Sequence, residues 1–275
     1  MSIIPEPFDT TVKRIYAAWE ADNKPRHSRR LGASQIGKSC DRALWYGFRW
    51  FALKKFEGRM LRMFEKGKTE ETWLELDLKR IGVEIQITDP ETREQWEFND
   101  IGNHFVCKLD GAAKGFVEAP ETWHACEFKT SNEASYNKIV KEGCLKAKPE
   151  HFAQCMVGMG LSGMDRAAYI VVNKNTDEIY LERIPFDKKE FQRIMQRAKE
   201  IIFATTAPDR IGTGPAYWEC RFCDFAGVCH HGQEPERNCR TCAFSTPLED
   251  GGWACDKKQT VLENMDACGD YGCIS

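Results

Sequence analysis

The placement of cysteine constrains this chain more than any other feature. Eight of its thirteen cysteines fall after residue 219, in two tight sets. The first is Cys220-x2-Cys223-x5-Cys229. The second is Cys239-x2-Cys242-x12-Cys255-x12-Cys268, where Cys273 can replace Cys268. Such spacings suit thiolate ligands of a metal, and a reducing cytoplasm disfavours the disulfide alternative. The first set offers three thiols where a tetrathiolate site needs four. His230 and His231 are alternative ligands there, and would favour zinc. The second set lies in a stretch with little apolar content, residues 237–275, which needs a staple to hold a fold.

The 275 residues can hold one substantial domain and an appendage. No apolar run approaches the ~18 residues of a membrane span. The opening MSIIPEPFDTT lacks the basic-then-apolar order of a signal peptide. The expectation is a soluble, cytoplasmic chain.

Residues 32–39, GASQIGKS, satisfy the P-loop pattern G-x4-G-K-[ST] letter for letter. A working P-loop needs a buried strand feeding the glycine turn, and the preceding KPRHSRRL is too charged for one. No later apolar run ends in an acid suited to nucleotide-bound Mg²⁺. Ser34 reads instead as the N-cap of a helix running on through Leu44, Trp45 and Phe48.

The net charge of −3 hides a strong asymmetry. Between Lys24 and Lys68, 13 Lys or Arg face three acids, a local +10 that leaves −13 for the remainder. Trp45, Tyr46, Phe48, Trp50, Phe51 and Phe56 are interleaved with these bases. Bases of this kind neutralise phosphates and flat rings stack on unpaired nucleobases, so the stretch is expected to contact DNA. Helices with an aromatic core face and a solvated basic face would give the same pattern.

Apolar periodicity predicts helices over residues 9–21, 59–80, 149–160 and 187–204. Strand-like runs occupy 83–87, 94–98, 104–110 and 122–130, and 167–173 with 178–184 form a hairpin. The sum is an α/β core of mixed sheet type. Asp110 ends one strand-like run, and Glu127-Phe128-Lys129 lies in the next. Alternation puts Glu127 and Lys129 on one face, with Cys126 and Phe128 on the other. Carboxylates converging from adjacent strands make a hard-oxygen site for Mg²⁺ or Mn²⁺.

With these residues the chain resembles the PD-(D/E)xK nucleases. Within them it is similar to RecB-like exonucleases, which include the iron–sulfur CRISPR-associated nuclease and phage recombination exonucleases. Asp110 and Glu127-Phe128-Lys129 match that family's metal and catalytic motif. The upstream helical motif Gly-x-x-x-His is met by Gly67 to Glu71, with glutamate in the histidine's place. Glu71 thereby becomes a third ligand, with Glu70 as its understudy. Gln154 matches the family's Gln-x-x-x-Tyr helix, but Gly158 stands where tyrosine would be.

The resemblance, over roughly residues 31–230, implies a restriction-endonuclease-like α/β core with a mixed central sheet flanked by helices. It implies a metal held by Glu71, Asp110, Glu127 and the Phe128 carbonyl, a nucleophile oriented by Lys129, and a strand positioned by Gln154. Relatives draw a fourth iron ligand from just before the aromatic helix, where Cys40 stands. That implies a [4Fe–4S] cluster on Cys40, Cys220, Cys223 and Cys229, with zinc as the competing ion. GASQIGKSC is then the approach to an iron ligand, and Arg29, Arg30, Lys38 and Arg42 are the expected phosphate contacts. The tail set Cys239, Cys242, Cys255 and Cys268 resembles a zinc ribbon, and some phage relatives share its Cys-Arg-Thr-Cys and Trp-x-Cys. The expected division is 1–30 N-terminal helix and linker, 31–236 nuclease domain, and 237–275 zinc-ribbon-like tail. The implied activity is a Mg²⁺- or Mn²⁺-dependent DNA exonuclease of phage recombination or repair, preferring single-stranded or frayed ends. Its implied partners are DNA and a phage single-strand annealing protein, in the host bacterial cytoplasm. A non-catalytic DNA-binding protein and an iron–sulfur redox sensor are the alternatives.

Overall fold

The computed structural model describes residues 10–274. The start of the chain, with the first residue of the expected N-terminal helix and all but the last two residues of the segment read for a signal peptide, lies outside them. Thr10 accepts the Lys13 amide at 3.2 Å and so caps α1 (Thr11–Asp22). A two-residue strand, β1 (Leu31–Gly32), leads into α2 (Ala33–Ile36) and α3 (Asp41–Phe48). The single helix expected from Ser34 to Phe48 is therefore two. The break follows from packing: a Cβ at Gly37 would strike the Glu150 backbone and meet the Ala153 Cβ at 3.0 Å. Next comes α4 (Gly58–Arg80), which ends as expected just before Gly82, whose φ of +84° suits glycine.

The chain then lays down β2 (Glu84–Gln86), β3 (Glu97–Asp100), β4 (Phe105–Lys108), β5 (Gly111–Lys114) and β6 (His124–Ser131). Helices α5 (Glu133–Ala147) and α6 (Pro149–Ser162) carry it over to β7 (Arg166–Asn173). The hairpin to β8 (Ile179–Pro185) forms as predicted, followed by α7 (Lys188–Phe203). After α8 (Ala226–His230), a small antiparallel sheet closes the chain: β9 (Ser245–Pro247), β10 (Trp253–Cys255) and β11 (Thr260–Val261).

The main sheet has the order β2-β5-β6-β7-β8, with β6 and β7 parallel and the other pairs antiparallel. It is the mixed sheet expected. Strand β7 reads RAAYIVVN and is buried on both faces, as a central strand must be. On one face Leu74 and Leu78 of α4 pack against Cys126, Phe128, Ala168 and Ile170. On the other, Ala125, Tyr169 and Val171 meet α5, α6 and α7 through residues such as Ile139, Met156 and Ile201. The result is a sheet flanked by helices. Strand β5 escaped the sequence pattern because Gly-Ala-Ala has little strand propensity, and pairing on both sides places it there. Helix α5 escaped it because Gly143, at φ +76°, interrupts the helical run.

Residues of the 237–274 stretch, Trp253 and Ile274, are buried in the main core. Trp253 is buried in the same apolar cluster as Trp45 and Phe48. Around it, the Arg240 guanidinium sits 4.2 Å from the Trp50 ring centroid and 4.7 Å from that of Trp253. Arg49 lies 5.2 Å from Trp45 and 5.3 Å from Trp253. Both arginines are buried and donate to backbone carbonyls, Arg240 to Phe48 and Arg29 at 2.9 Å, Arg49 to Arg240 and Ser245 at 3.2 Å.

Candidate active site

Strand parity brings Glu127 and Lys129 to one face of β6, and in the structure the Lys129 ammonium contacts Glu127 Oε1 directly. The same ammonium lies 3.1 Å from the Phe128 carbonyl. Asp110 does not end the strand that pairs with β6, since β4 belongs to the separate β1-β4-β3 sheet. It stands one residue before β5, its amide on the Cys126 carbonyl at 3.3 Å and its Oδ2 accepting the Phe128 amide at 2.7 Å. The junction between two sheets thus delivers this carboxylate beside the Glu127-Phe128-Lys129 tripeptide.

Electrostatics ties these groups into one cluster. Glu127 is 2% exposed, and burial pushes its carboxyl up to about 8, a rise that Lys129 only partly offsets and Asp110 reinforces. Burial raises Asp110 as well, against the pull of Lys129 and the Phe128 amide. Burial works against the Lys129 ammonium, yet Glu127 and Asp110 outweigh it and lift its pKa above the ordinary lysine range. Glu71, two turns before Leu78 on α4, is raised by burial and then by the charge of Asp110. Glu70 is raised by burial and next by the charge of Asp177.

Helix α6 carries Gln154, half-buried, at the expected place. At Gly158 a Cβ would come within 2.7 Å of Leu109 Cδ2, so a tyrosine there would require Leu109 to move. Two residues that no sequence pattern singled out occupy this neighbourhood. His151 Nδ1 lies 2.7 Å from the Tyr169 hydroxyl, and Tyr169 stands directly beside Glu127 in the β6–β7 register. Burial and then Lys129 drive the His151 pKa down to about 3. No motif marks this pair, because β7 must first dock under α6.

Cys40 occupies the N-cap position of α3, Cys220 opens a 3-10 turn that Cys223 follows, and Cys229 lies in α8. Burial raises the Cys220 thiol, and Cys40 and Cys229 raise it further. Cys223 is likewise raised by burial and then by Cys40 and Cys220. Cys40, Cys220 and Cys223 line one groove. In the tail, Cys239 is raised by burial and then by Cys242, Cys268 and Cys255, and these four line a cavity of about 300 Å³. Cys273 is exposed, with its Sγ 3.3 Å from the Ile274 carbonyl, and does not line that cavity. The remaining thiols, Cys107, Cys126, Cys144 and Cys155, are buried.

The four expected phosphate contacts fare differently. Lys38 is exposed. Arg29 is exposed and offers its carbonyl to Arg240. Arg30 bonds Glu97 at 2.6 Å and Asn99 as well. Arg42 ties α3 to the chain after α7, donating to the Pro208 carbonyl at 2.5 Å and to Tyr46 at 3.2 Å. The aromatics diverge more sharply from the stacking surface expected of them. Trp45, Tyr46, Phe48 and Phe51 are core residues, because α3 packs that face inward.

Among the described residues no group of three or more His, Cys, Asp or Glu is poised to hold a metal ion. No protein-family model and no curated protein matches the sequence. Solved structures similar to the chain include SSO0001, with 14% identity, a TM-score of 0.47, and coverage of 80% of this chain and 96% of that one. An alkaline exonuclease (LHK-Exo) from Laribacter hongkongensis matches at 15% identity and a TM-score of 0.43. The structure of LHK-Exo in complex with dAMP matches at 15% and 0.46. Each of those two matches covers 68% of this chain and 89% of the other.

Proposed function

We propose that the chain is a metal-dependent DNA exonuclease whose centre is Asp110, Glu127 and Lys129. The observation that carries this reading is the contact of the Lys129 ammonium with the buried Glu127 carboxyl, beside an Asp110 carboxylate that accepts the Phe128 amide at 2.7 Å. Acids that raise one another's pKa form a site short of positive charge, and all the donors are hard oxygens, so Mg²⁺ or Mn²⁺ fits them. Glu71, Asp110, Glu127 and the Phe128 carbonyl would hold that ion. When bound, it would lower the pKa of water and polarise the phosphoryl oxygen. The chain's own residues do the rest. Asp110 is fixed by the Phe128 amide, which donates to its Oδ2. Lys129 holds positive charge where the nucleophile or phosphate must sit. Gln154 positions the strand from α6.

By the same chemistry, Cys40, Cys220, Cys223 and Cys229 would hold a [4Fe–4S] cluster, with zinc as the competing ion. Burial and then the neighbouring thiols hold Cys220 and Cys223 against ionisation, and a bound cationic centre reverses that penalty. Cys239, Cys242, Cys255 and Cys268 would hold zinc. A role in phage recombination or repair, beside a single-strand annealing protein, completes the proposal.

Digestion of end-labelled linear single strands, blunt duplex and closed circles with each metal tests the activity. The expected order is single strands fastest, duplex slower and circles resistant. Efficient cutting of a closed single-stranded circle would show an endonuclease and end the exonuclease reading.

A further inference from the structure

With four aromatics of the Lys24–Lys68 stretch in the core, the surface for unpaired bases must lie elsewhere. A groove of about 1140 Å³ runs between residues 23–40, the start of α6 and the Cys220–Cys223 turn. Two aromatic side chains on its rim lie open to solvent: Trp218 is 66% exposed and Phe222 is 89% exposed. Lys24, Arg26 and Lys38 are exposed in its wall and enter no ion pair among the described residues. Five Lys or Arg line the groove against three acids. Of those acids, Asp224 is paired with Lys54 at 2.6 Å and Glu219 takes the Ser39 hydroxyl.

We propose that this groove holds a single-stranded segment of DNA, with Trp218 and Phe222 stacking on unpaired bases and Lys24, Arg26 and Lys38 meeting phosphates. The proposal deepens the nuclease reading, and rests on it for the identity of the polymer as DNA. Cations alone would accept any polyanion, including duplex or an acidic peptide. The exposed rings favour a single strand, because a duplex hides the base faces on which they would stack. Pro149 and Glu150, the first turn of α6, form part of the wall. A strand lying there is therefore held against the helix that carries His151 and Gln154.

Binding is measured by fluorescence anisotropy with chelator present and no divalent metal, so that cleavage plays no part. The probes are fluorescein-labelled oligothymidylate and a blunt duplex, with polyglutamate as competitor. The Trp218→Ala/Phe222→Ala variant is expected to lose at least about tenfold in affinity for the single strand and less than about twofold for duplex. Both side chains are exposed, so thermal unfolding should match the wild type. Lys24→Gln/Lys38→Gln should flatten the log–log salt slope of single-strand binding by roughly 1.4, about 0.7 for each phosphate no longer neutralised. Unchanged single-strand affinity in the aromatic variant, equal losses on both DNA forms, or displacement by polyglutamate as effective as by oligothymidylate would overturn the groove. If the wild type digests DNA while the aromatic variant binds normally, the groove alone fails. If these losses appear in a protein that never cleaves, the nuclease reading alone fails.

Discussion

At the level of single residues, the site depends on a carboxyl kept away from water. Burial, opposed in part by Lys129, holds the Glu127 proton to about 8, whereas an unfolded glutamate releases it near about 4.3. The folded chain therefore binds that proton more tightly, and metal-free stability from this group falls as pH rises between those values. Melting temperatures of metal-free protein should drop between about pH 5 and about pH 8, with a flatter slope in Glu127→Gln. An identical slope in that variant would mean that Glu127 is ionised throughout. Glu127 and Lys129 were legible in the sequence because strand alternation alone puts them on one face. Asp110 was legible by residue but not by strand, since its position before β5 depends on where two sheets part. His151 and Tyr169 were not legible at all, because their 2.7 Å contact exists only once α6 covers β7.

Among the elements, the P-loop lookalike shows how a motif can match in letters and differ in physics. Its first glycine has only ordinary contacts, with a Cβ meeting Ser34 Oγ at 3.5 Å, while its second lies against the backbone of α6. The carbonyls after α2 are also engaged, Arg197 donating to Lys38 at 2.5 Å. Gly37→Ala should thus destabilise by at least about 1–3 kcal/mol through overpacking, and Gly32→Ala by much less, as read by chemical denaturation. Equal effects of the two substitutions would contradict this packing role. The long helices α4 and α7 and the β7–β8 hairpin were readable because their periodicity is uninterrupted. The break between α2 and α3 was not, because it answers to a residue more than a hundred positions away.

Across the whole molecule, the arginine–tryptophan layer joins the 240–253 segment to α3 and the residues after it. Trp253 fills the core beside Trp45 and Phe48, and without it Arg49 and Arg240 lose the rings that flank them. Truncation after Gln233 should therefore unfold the chain, seen as loss of the cooperative thermal transition, instead of releasing a separable tail. A truncated protein that melts like the full chain would restore the expected boundary near residue 236. Anaerobically purified protein should be brown with about four irons per chain, and Cys40→Ala should lose the colour and melt earlier. Colourless protein with stoichiometric zinc on these thiols would replace the cluster and leave the nuclease untouched. No helix among the described residues is long and apolar enough to cross a membrane. The most direct test of the account is hydrolysis of end-labelled linear DNA in Mg²⁺ or Mn²⁺ by the wild type, Asp110→Ala and Lys129→Ala. The account predicts digestion by the wild type and none by either variant, with fold and iron content unchanged. Cleavage by either variant near the wild-type rate, or none by the wild type with either metal, would contradict it.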